Sequence, residues 1–133
     1  MSTYKEKLGI ISEMIAFAKA DDVIRVAEYN FLLNVSNQLG IDRETFDSLF
    51  RKEGPRLTLK SHEERILQFH RLLLLMNVDR EQHATEIYRL HNIGLGMGLP
   101  PSAIDQVLQV MHEYPDKIVP PEVLISIFKA HFN

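Results

Sequence analysis

Two acidic pairs with identical spacing are the residues of this chain whose types suggest chemistry. Asp21 is followed seven positions later by Glu28, and Asp79 is followed seven positions later by Glu86. Carboxylate oxygens are the ligands that hard cations such as Ca²⁺ and Mg²⁺ prefer. If the two pairs converge, they would present four carboxylates to one divalent cation, the only cofactor that the sequence suggests. We therefore predict Asp21, Glu28, Asp79 and Glu86 as candidate metal ligands.

A second interpretation of the same residues is structural. Asp is favoured in turns, and Glu in the first turn of a helix complements the helix macrodipole by about 0.3–1 kcal/mol. A capping box would pair each Glu with a short hydroxyl side chain three positions earlier, but Arg25 and His83 occupy those positions. Capping therefore accounts for the glutamates only in part, and both interpretations stay open at this stage.

The histidines and serines do not have the spacing of a known catalytic or metal site. His62 and His70 are eight positions apart, as are His83 and His91, and this spacing does not stack side chains on one helix face. We interpret His70 and His91, which lie among apolar positions, as hydrogen-bonded residues at the edge of the core. No serine has a base at a recognised spacing, and we expect the chain not to be an enzyme.

The run from Gly94 to Gly98 contains three glycines in five residues. It resembles a phosphate-binding loop, but such a loop follows a strand and opens a helix, whereas this run ends a helix. We interpret the glycines as sites of close helix packing and as a helix stop.

An internal repeat indicates which elements carry the acidic pairs. A shift of 58 positions carries residues 3–50 onto residues 61–108 without a gap. The shift superimposes two capping-box signatures, which mark helix starts; these are formed by Thr3 with Glu6 and by Ser61 with Glu64. It also superimposes Gly40 and Gly98, each followed by an apolar residue, and this pattern predicts a helix that stops in the left-handed conformation.

Each repeat reads as three helices, and a further helix is predicted after Pro120-Pro121. Gly54-Pro55 breaks the helical pattern between the repeats. We predict an all-α single-domain bundle of about seven helices, in which a pseudo-twofold axis relates two three-helix repeats and a C-terminal helix follows. The predicted divisions of the domain 1–133 are repeat one 3–50, connector 51–60, repeat two 61–108, and the C-terminal tail and helix 109–133.

The order of these features resembles a known family. The family pattern is an apolar helix, an Asp-Gly-x-x-Ser-x-x-Glu bend, a second apolar helix and Leu-Gly-Ile. Here residues 20–28 and 39–41 carry it once, and residues 79–86 and 97–99 carry it again. The pattern resembles the TerB-like family, which is named for bacterial tellurite resistance and is also similar to the N-terminal domain of the DjlA co-chaperone.

The resemblance implies an all-α fold of duplicated helices in a bacterial, cytoplasmic protein. It also implies a role in sensing or sequestering metal, or in scaffolding at the inner face of the membrane. The candidate ligands of the family correspond here to Asp21, Glu28, Asp79 and Glu86. The chain departs from the pattern because Asp22 and Arg80 replace the glycines, and Arg25 and His83 replace the serines. The positive charge of Arg80 and His83 would neutralise the second acidic pair without a metal.

The composition limits the classes of function. The 133 residues are 45% apolar and 25% charged with a net charge of −3, which is typical of a globular domain and not of a nucleic-acid-binding protein. The absence of cysteine excludes disulfides, zinc–thiolate sites and a thiol nucleophile. The apolar run from Leu72 to Met76 is five residues long, and a membrane span needs about 20. We expect neither nucleic-acid binding nor membrane insertion.

Two functions therefore stay open. The first is a non-enzymatic TerB-like binding module that binds a divalent cation through its duplicated acidic bends, in the context of bacterial stress or metal resistance. The second is an ion-free protein–protein interaction or scaffolding domain that recognises a helix or another subunit through an apolar groove between the halves. A protein partner is expected in the second case, and a homodimer would satisfy it.

Overall fold

The first helix of each repeat begins at its predicted N-cap, Thr3 or Ser61, in the computed structural model. The structure describes residues 3–19, 24–52, 54–78 and 84–131. The hydroxyl oxygens of Thr3 and Ser61 accept hydrogen bonds from the amides of Glu6 and Glu64, each at 3.1 Å. The helices are α1 Tyr4–Ala18, α2 Val26–Gln38, α3 Arg43–Ser48, α4 His62–Asn77, α5 Ala84–Gly96, α6 Pro101–Val110 and α7 Pro121–His131. The all-α prediction is confirmed, and the described ranges contain no β-strand.

The helices of the two repeats begin at corresponding positions. The starts of α1, α2 and α3 lie 58 positions before those of α4, α5 and α6, which is the shift found in the sequence. The equivalent helices α2 and α5 also have the same length of 13 residues. The internal repeat is therefore a repeat of secondary structure.

Both second helices end in the left-handed conformation at a glycine. Gly40 has φ of 78° and Gly98 has φ of 83°. The amide of the residue after each glycine donates to a carbonyl five positions back, at 3.0 Å in both cases; these bonds are Ile41 to Ser36 and Leu99 to Gly94. This is a Schellman motif, in which a residue without Cβ takes the left-handed position at low cost.

The helices group into two units, Met1–Thr58 and Leu59–Asn133, which we call unit 1 and unit 2. The division falls inside the predicted connector 51–60. Four apolar positions of unit 1 are fully buried, and so are the four positions equivalent to them in unit 2. These pairs are Ile11 and Phe69, Met14 and Leu72, Leu32 and Leu90, and Phe46 and Ile104.

In unit 1, helix α2 packs against α1 and α3, and the connector returns over α1. The amide of Gly54 donates to the hydroxyl oxygen of Ser12 at 3.2 Å. Gly9 permits this close approach, because a Cβ at that position would lie 3.2 Å from the Cα of Leu57. The small side chains on this face of α1 therefore position the connector.

In unit 2, helix α7 packs against α4 and α6 and has no counterpart in unit 1. The rings of Phe69 and Phe128 meet edge to face with centroids 5.7 Å apart. His70, which is equivalent to Ser12, donates from Nε2 to the carbonyl of Val119 at 2.9 Å, just before α7 begins. The same position of the first helix thus holds the returning chain in both units.

Candidate functional site

The two predicted glutamates occupy the same place in equivalent helices. Glu28 is the third residue of α2 in unit 1, and Glu86 is the third residue of α5 in unit 2. The other two predicted ligands, Asp21 and Asp79, lie outside the described residues. Within the described ranges, no group of three or more His, Asp or Glu side chains could hold a metal ion.

Glu28 has a structural role at the start of α2. Its carboxylate accepts a hydrogen bond from the amide of Arg25 at 3.1 Å, and the residue is 7% exposed. This is the carboxylate half of a capping box, since the guanidinium of Arg25 has no acceptor oxygen to complete the other half. The carboxylate also complements the positive end of the helix macrodipole. A cation at Glu28 would have to coexist with, or displace, this bond.

An apolar cleft lies beside the same helix start. It has a volume of about 400 Å³ and is lined by Ile24, Arg25, Val26, Tyr29 and Phe50. Val26, the first residue of α2, is 77% exposed, which is high for a large apolar side chain. The sequence predicts a groove between the two halves, whereas the described residues that line this cleft belong to unit 1.

Two of the lining side chains, Tyr29 and Phe50, form an aromatic cluster with the buried Phe46. Tyr29 lies 5.5 Å from Phe46 and 5.7 Å from Phe50, and the two Phe centroids are 5.2 Å apart. The hydroxyl of Tyr29 donates to Asp47 at 2.8 Å. Arg43 lies over the Tyr29 ring at 5.7 Å and pairs with Asp47 at 3.4 Å. Tyr29 and Asp47 together raise the pKa of the Arg43 guanidinium above its ordinary value.

Cationic side chains stand close to this cleft. The ammonium of Lys19 donates to the carbonyl of Phe50 at 3.1 Å. Arg25 contributes to the lining, and the exposed residues Arg51 and Lys52 follow Phe50 directly in the chain. Among the described residues, Lys19 and Arg25 thus bring cationic side chains to the apolar cleft.

The two histidines predicted at the edge of the core both have hydrogen-bonding partners in unit 2. His70 bonds to the carbonyl of Val119, as described above. His91, whose side chain is 28% exposed, pairs with Asp105 at 3.1 Å and links α5 to α6. Both residues join neighbouring elements.

Ser102 lies beside a histidine that its spacing in the sequence does not indicate. The hydroxyl of Ser102 lies 2.9 Å from Nδ1 of His131, and Nε2 of His131 lies 3.0 Å from Oε1 of Gln106. The spacing of 29 residues gave no signal, because packing of α7 against α6 creates the contact. Ser102 and Gln106 are exposed, and the three side chains tie the end of α7 to α6.

The glycine run of unit 2 serves helix packing. A Cβ at Gly94 would lie 2.7 Å from Cδ1 of Ile104 and 3.0 Å from the ring of Phe69. Gly94 thus lets α5 approach both α4 and α6, and Gly98 stops the helix. The run ends α5, so it lacks the position of a phosphate-binding loop at a helix start.

Comparison with known proteins finds no matching family model, curated protein or solved structure. Among the described residues, no helix has both the length and the apolar character needed to cross a bilayer.

Proposed function

We propose that this chain is a non-enzymatic binding module of the TerB-like type that recognises a protein partner through the cleft at the start of α2. The observation that carries the proposal is the 77% exposure of Val26 at the edge of an apolar cleft. Val26 is joined at the cleft by the partly exposed residues Ile24, Tyr29 and Phe50, and apolar groups that line a concave surface are typical of binding sites. The ring contacts of Tyr29 and Phe50 with each other and with the buried Phe46 support the proposal, because they hold two of the lining side chains in place without a ligand.

Site-specific photo-cross-linking tests this function. The photoreactive residue p-benzoylphenylalanine is placed at Val26 of the full chain, and the protein is irradiated in its own cells. We expect one discrete cross-linked protein, which mass spectrometry identifies. The matched control places the same residue at Tyr88, which is 68% exposed on α5. The same products from both positions, or no product from Val26, would contradict the proposal.

The second candidate function is binding of a divalent cation through the duplicated acidic bends. It is favoured by the equivalent positions of Glu28 and Glu86, each two residues into a helix of the same length. It is weakened by the hydrogen bond that already engages the Glu28 carboxylate. Calorimetric titration of the full chain with Ca²⁺ and Mg²⁺ tests this candidate. Saturable binding of either ion supports it, and absence of heat for both ions over a range of temperatures argues against it.

A further inference from the structure

We propose that Ser102 is a reactive nucleophile that takes an acyl group from an activated ester, with His131 as its general base. The site lies in unit 2 and shares no residue with the lining of the cleft, so this inference goes beyond the proposed function. It concerns a covalent modification of the chain. Its basis is the arrangement of the three side chains that join the end of α7 to α6, which are Ser102, Gln106 and His131.

The hydrogen bonds of His131 determine which ring nitrogen acts as the base. Nε2 of His131 lies 3.0 Å from Oε1 of Gln106, a carbonyl oxygen that can only accept. Nε2 therefore carries the proton of the neutral ring, and Nδ1 keeps its lone pair. Because Nδ1 lies 2.9 Å from the hydroxyl of Ser102, the hydroxyl donates to it. A hydroxyl that donates to an imidazole nitrogen, with the ring oriented by a third group, is the arrangement that activates serine nucleophiles.

Two packed helices position the three side chains. Ser102 and Gln106 are four positions apart on α6 and therefore lie on one face of that helix. His131 is the last residue of α7, which packs against α6. The base thus reaches the nucleophile from a neighbouring helix, while Gln106 orients the ring through its other nitrogen. Unit 1 has Glu44 at the position equivalent to Ser102, so the arrangement is particular to unit 2.

The place of Ser102 in α6 supports its reactivity. It is the second residue of α6, directly after Pro101, and it is exposed. The positive end of the helix macrodipole lies at this end of α6. It favours the negative charge that develops on the attacking oxygen and on the carbonyl oxygen of the ester. Since the residue is exposed, a small ester reaches the hydroxyl from solvent.

The reaction is the first half of an acyl transfer. Oγ of Ser102 forms a bond to the carbonyl carbon of the ester, and the hydroxyl proton passes to Nδ1 of His131. The bond between the carbonyl carbon and the leaving oxygen then breaks, and the leaving group departs with the electron pair of that bond. The proton on Nδ1 passes to solvent water, and the product is the O-acyl ester of Ser102.

The aryl ester p-nitrophenyl acetate tests the nucleophile. The full chain is incubated with the ester for a series of short times and digested, and mass spectrometry locates the acetyl groups. The matched control in the same molecule is Ser126, which is exposed on α7 but five positions from His131, a spacing that does not place the two side chains together. We expect Ser102 to be acetylated at least about tenfold faster than Ser126, because a positioned general base accelerates such a step by about 10²–10⁴-fold. Equal rates at the two serines, or acetylation of lysine and histidine side chains alone, would overturn the inference.

Variants of the other two side chains show whether the arrangement activates Ser102. His131→Asn keeps an acceptor for the hydroxyl and removes the base, so it should slow acetylation of Ser102 about tenfold or more. Gln106→Leu removes the acceptor that orients the ring and should also slow the reaction, whereas Gln106→Glu keeps an acceptor and should preserve the rate. Melting temperatures show that each variant is folded. An unchanged rate in His131→Asn, or equal losses in the two Gln106 variants, would overturn the roles of these side chains.

Discussion

The structure shows a role for Glu28 at the start of α2 that the spacing of the acidic residues left open. The sequence offered capping and cation binding as alternatives for Glu28. In the structure its carboxylate bonds to the amide of Arg25, so capping needs only the backbone of the residue three positions earlier. The side chain at the N-cap position decides whether the first half of the capping box forms. The glutamate can bond to the N-cap amide with any side chain at that position.

Asp42 caps the start of α3 with its own side chain. Its carboxylate accepts from the Thr45 amide at 2.7 Å. Hydrogen bonds from Thr45 hold the pKa of Asp42 below its ordinary value of 3.8. A carboxyl whose pKa is lowered in the folded state contributes stability above its unfolded pKa and loses it as the pH falls through the folded pKa. The stabilising effect of the Asp42 charge should therefore be present at neutral pH and disappear in acid.

We predict that Asp42→Ala lowers the urea midpoint at neutral pH and that its difference from wild type shrinks as the pH falls well below 3.8, because wild type then loses the charge at the cap. Urea unfolding at a series of pH values measures this. The control Asp42→Asn keeps a neutral acceptor at the cap, so its smaller loss of stability at neutral pH should fall to nearly zero in acid, where the wild-type carboxyl is also neutral. A penalty for Asp42→Ala that stays constant with pH would show that the charge of Asp42 is not involved.

At the scale of elements, the glycines at the end of α5 provide a matched pair. Gly96 is the last residue of α5, and a Cβ added there would meet no atom within 4 Å. Gly98 has φ of 83°, and a Cβ added there would lie 3.9 Å from the guanidinium of Arg65. Space therefore permits a methyl group at both positions, and only the backbone conformation differs. The pair isolates the cost of the left-handed conformation from the cost of crowding.

We predict that Gly98→Ala lowers the free energy of unfolding by about 1 kcal/mol, because a Cβ strains the left-handed conformation. Gly96→Ala should raise the free energy of unfolding by up to about 1 kcal/mol, since Ala is the better helix former. Urea unfolding of the two variants beside wild type measures both. A loss of stability in both variants would indicate that α5 does not end as described.

The boundaries of the elements could be predicted because local chemistry sets them. Thr3, Ser61 and the two glycine stops act through bonds to residues three to five positions away, and a sequence displays such spacings directly. The short length of α3 was harder to predict. α3 ends at Ser48, whose hydroxyl donates to the carbonyl of Thr45 at 2.6 Å, whereas the equivalent residue in α6 is Gln106 and the helix continues to Val110.

At the scale of the whole molecule, the sequence predicts the repeated elements and the C-terminal helix, but not the contacts that are particular to one unit. The eight buried positions shared by the two repeats follow from the shift of 58 residues. The cleft does not follow from it, because Tyr29 and Phe50 correspond to Ile87 and Leu108 in the second repeat. The two aromatic side chains of the cleft lining therefore have no aromatic equivalents in the second repeat. The contact of His131 with Ser102 likewise depends on α7, which only unit 2 contains.

The cation candidate makes a prediction about the stability of the whole chain. An ion that binds only the folded state stabilises it by about 2.7 kcal/mol when its free concentration is 100 times the dissociation constant. For a chain of this size that is on the order of 10 °C in the melting temperature. If the acidic bends bind the ion, Ca²⁺ or Mg²⁺ should raise the melting temperature of wild type, and the combined changes Glu28→Gln and Glu86→Gln should remove that increment.

The ion-free melt of the double variant distinguishes the two roles of these glutamates. Loss of the Glu28 charge at the start of α2 should cost about 0.3–1 kcal/mol even without metal, because the carboxylate complements the macrodipole and bonds to the Arg25 amide. The metal effect is therefore the difference between melts with and without the ion, measured separately for each protein. If wild type shows no metal-dependent shift while the double variant melts at a lower temperature without metal, the glutamates cap their helices and do not bind a cation. That result would leave partner binding at the cleft as the proposed function.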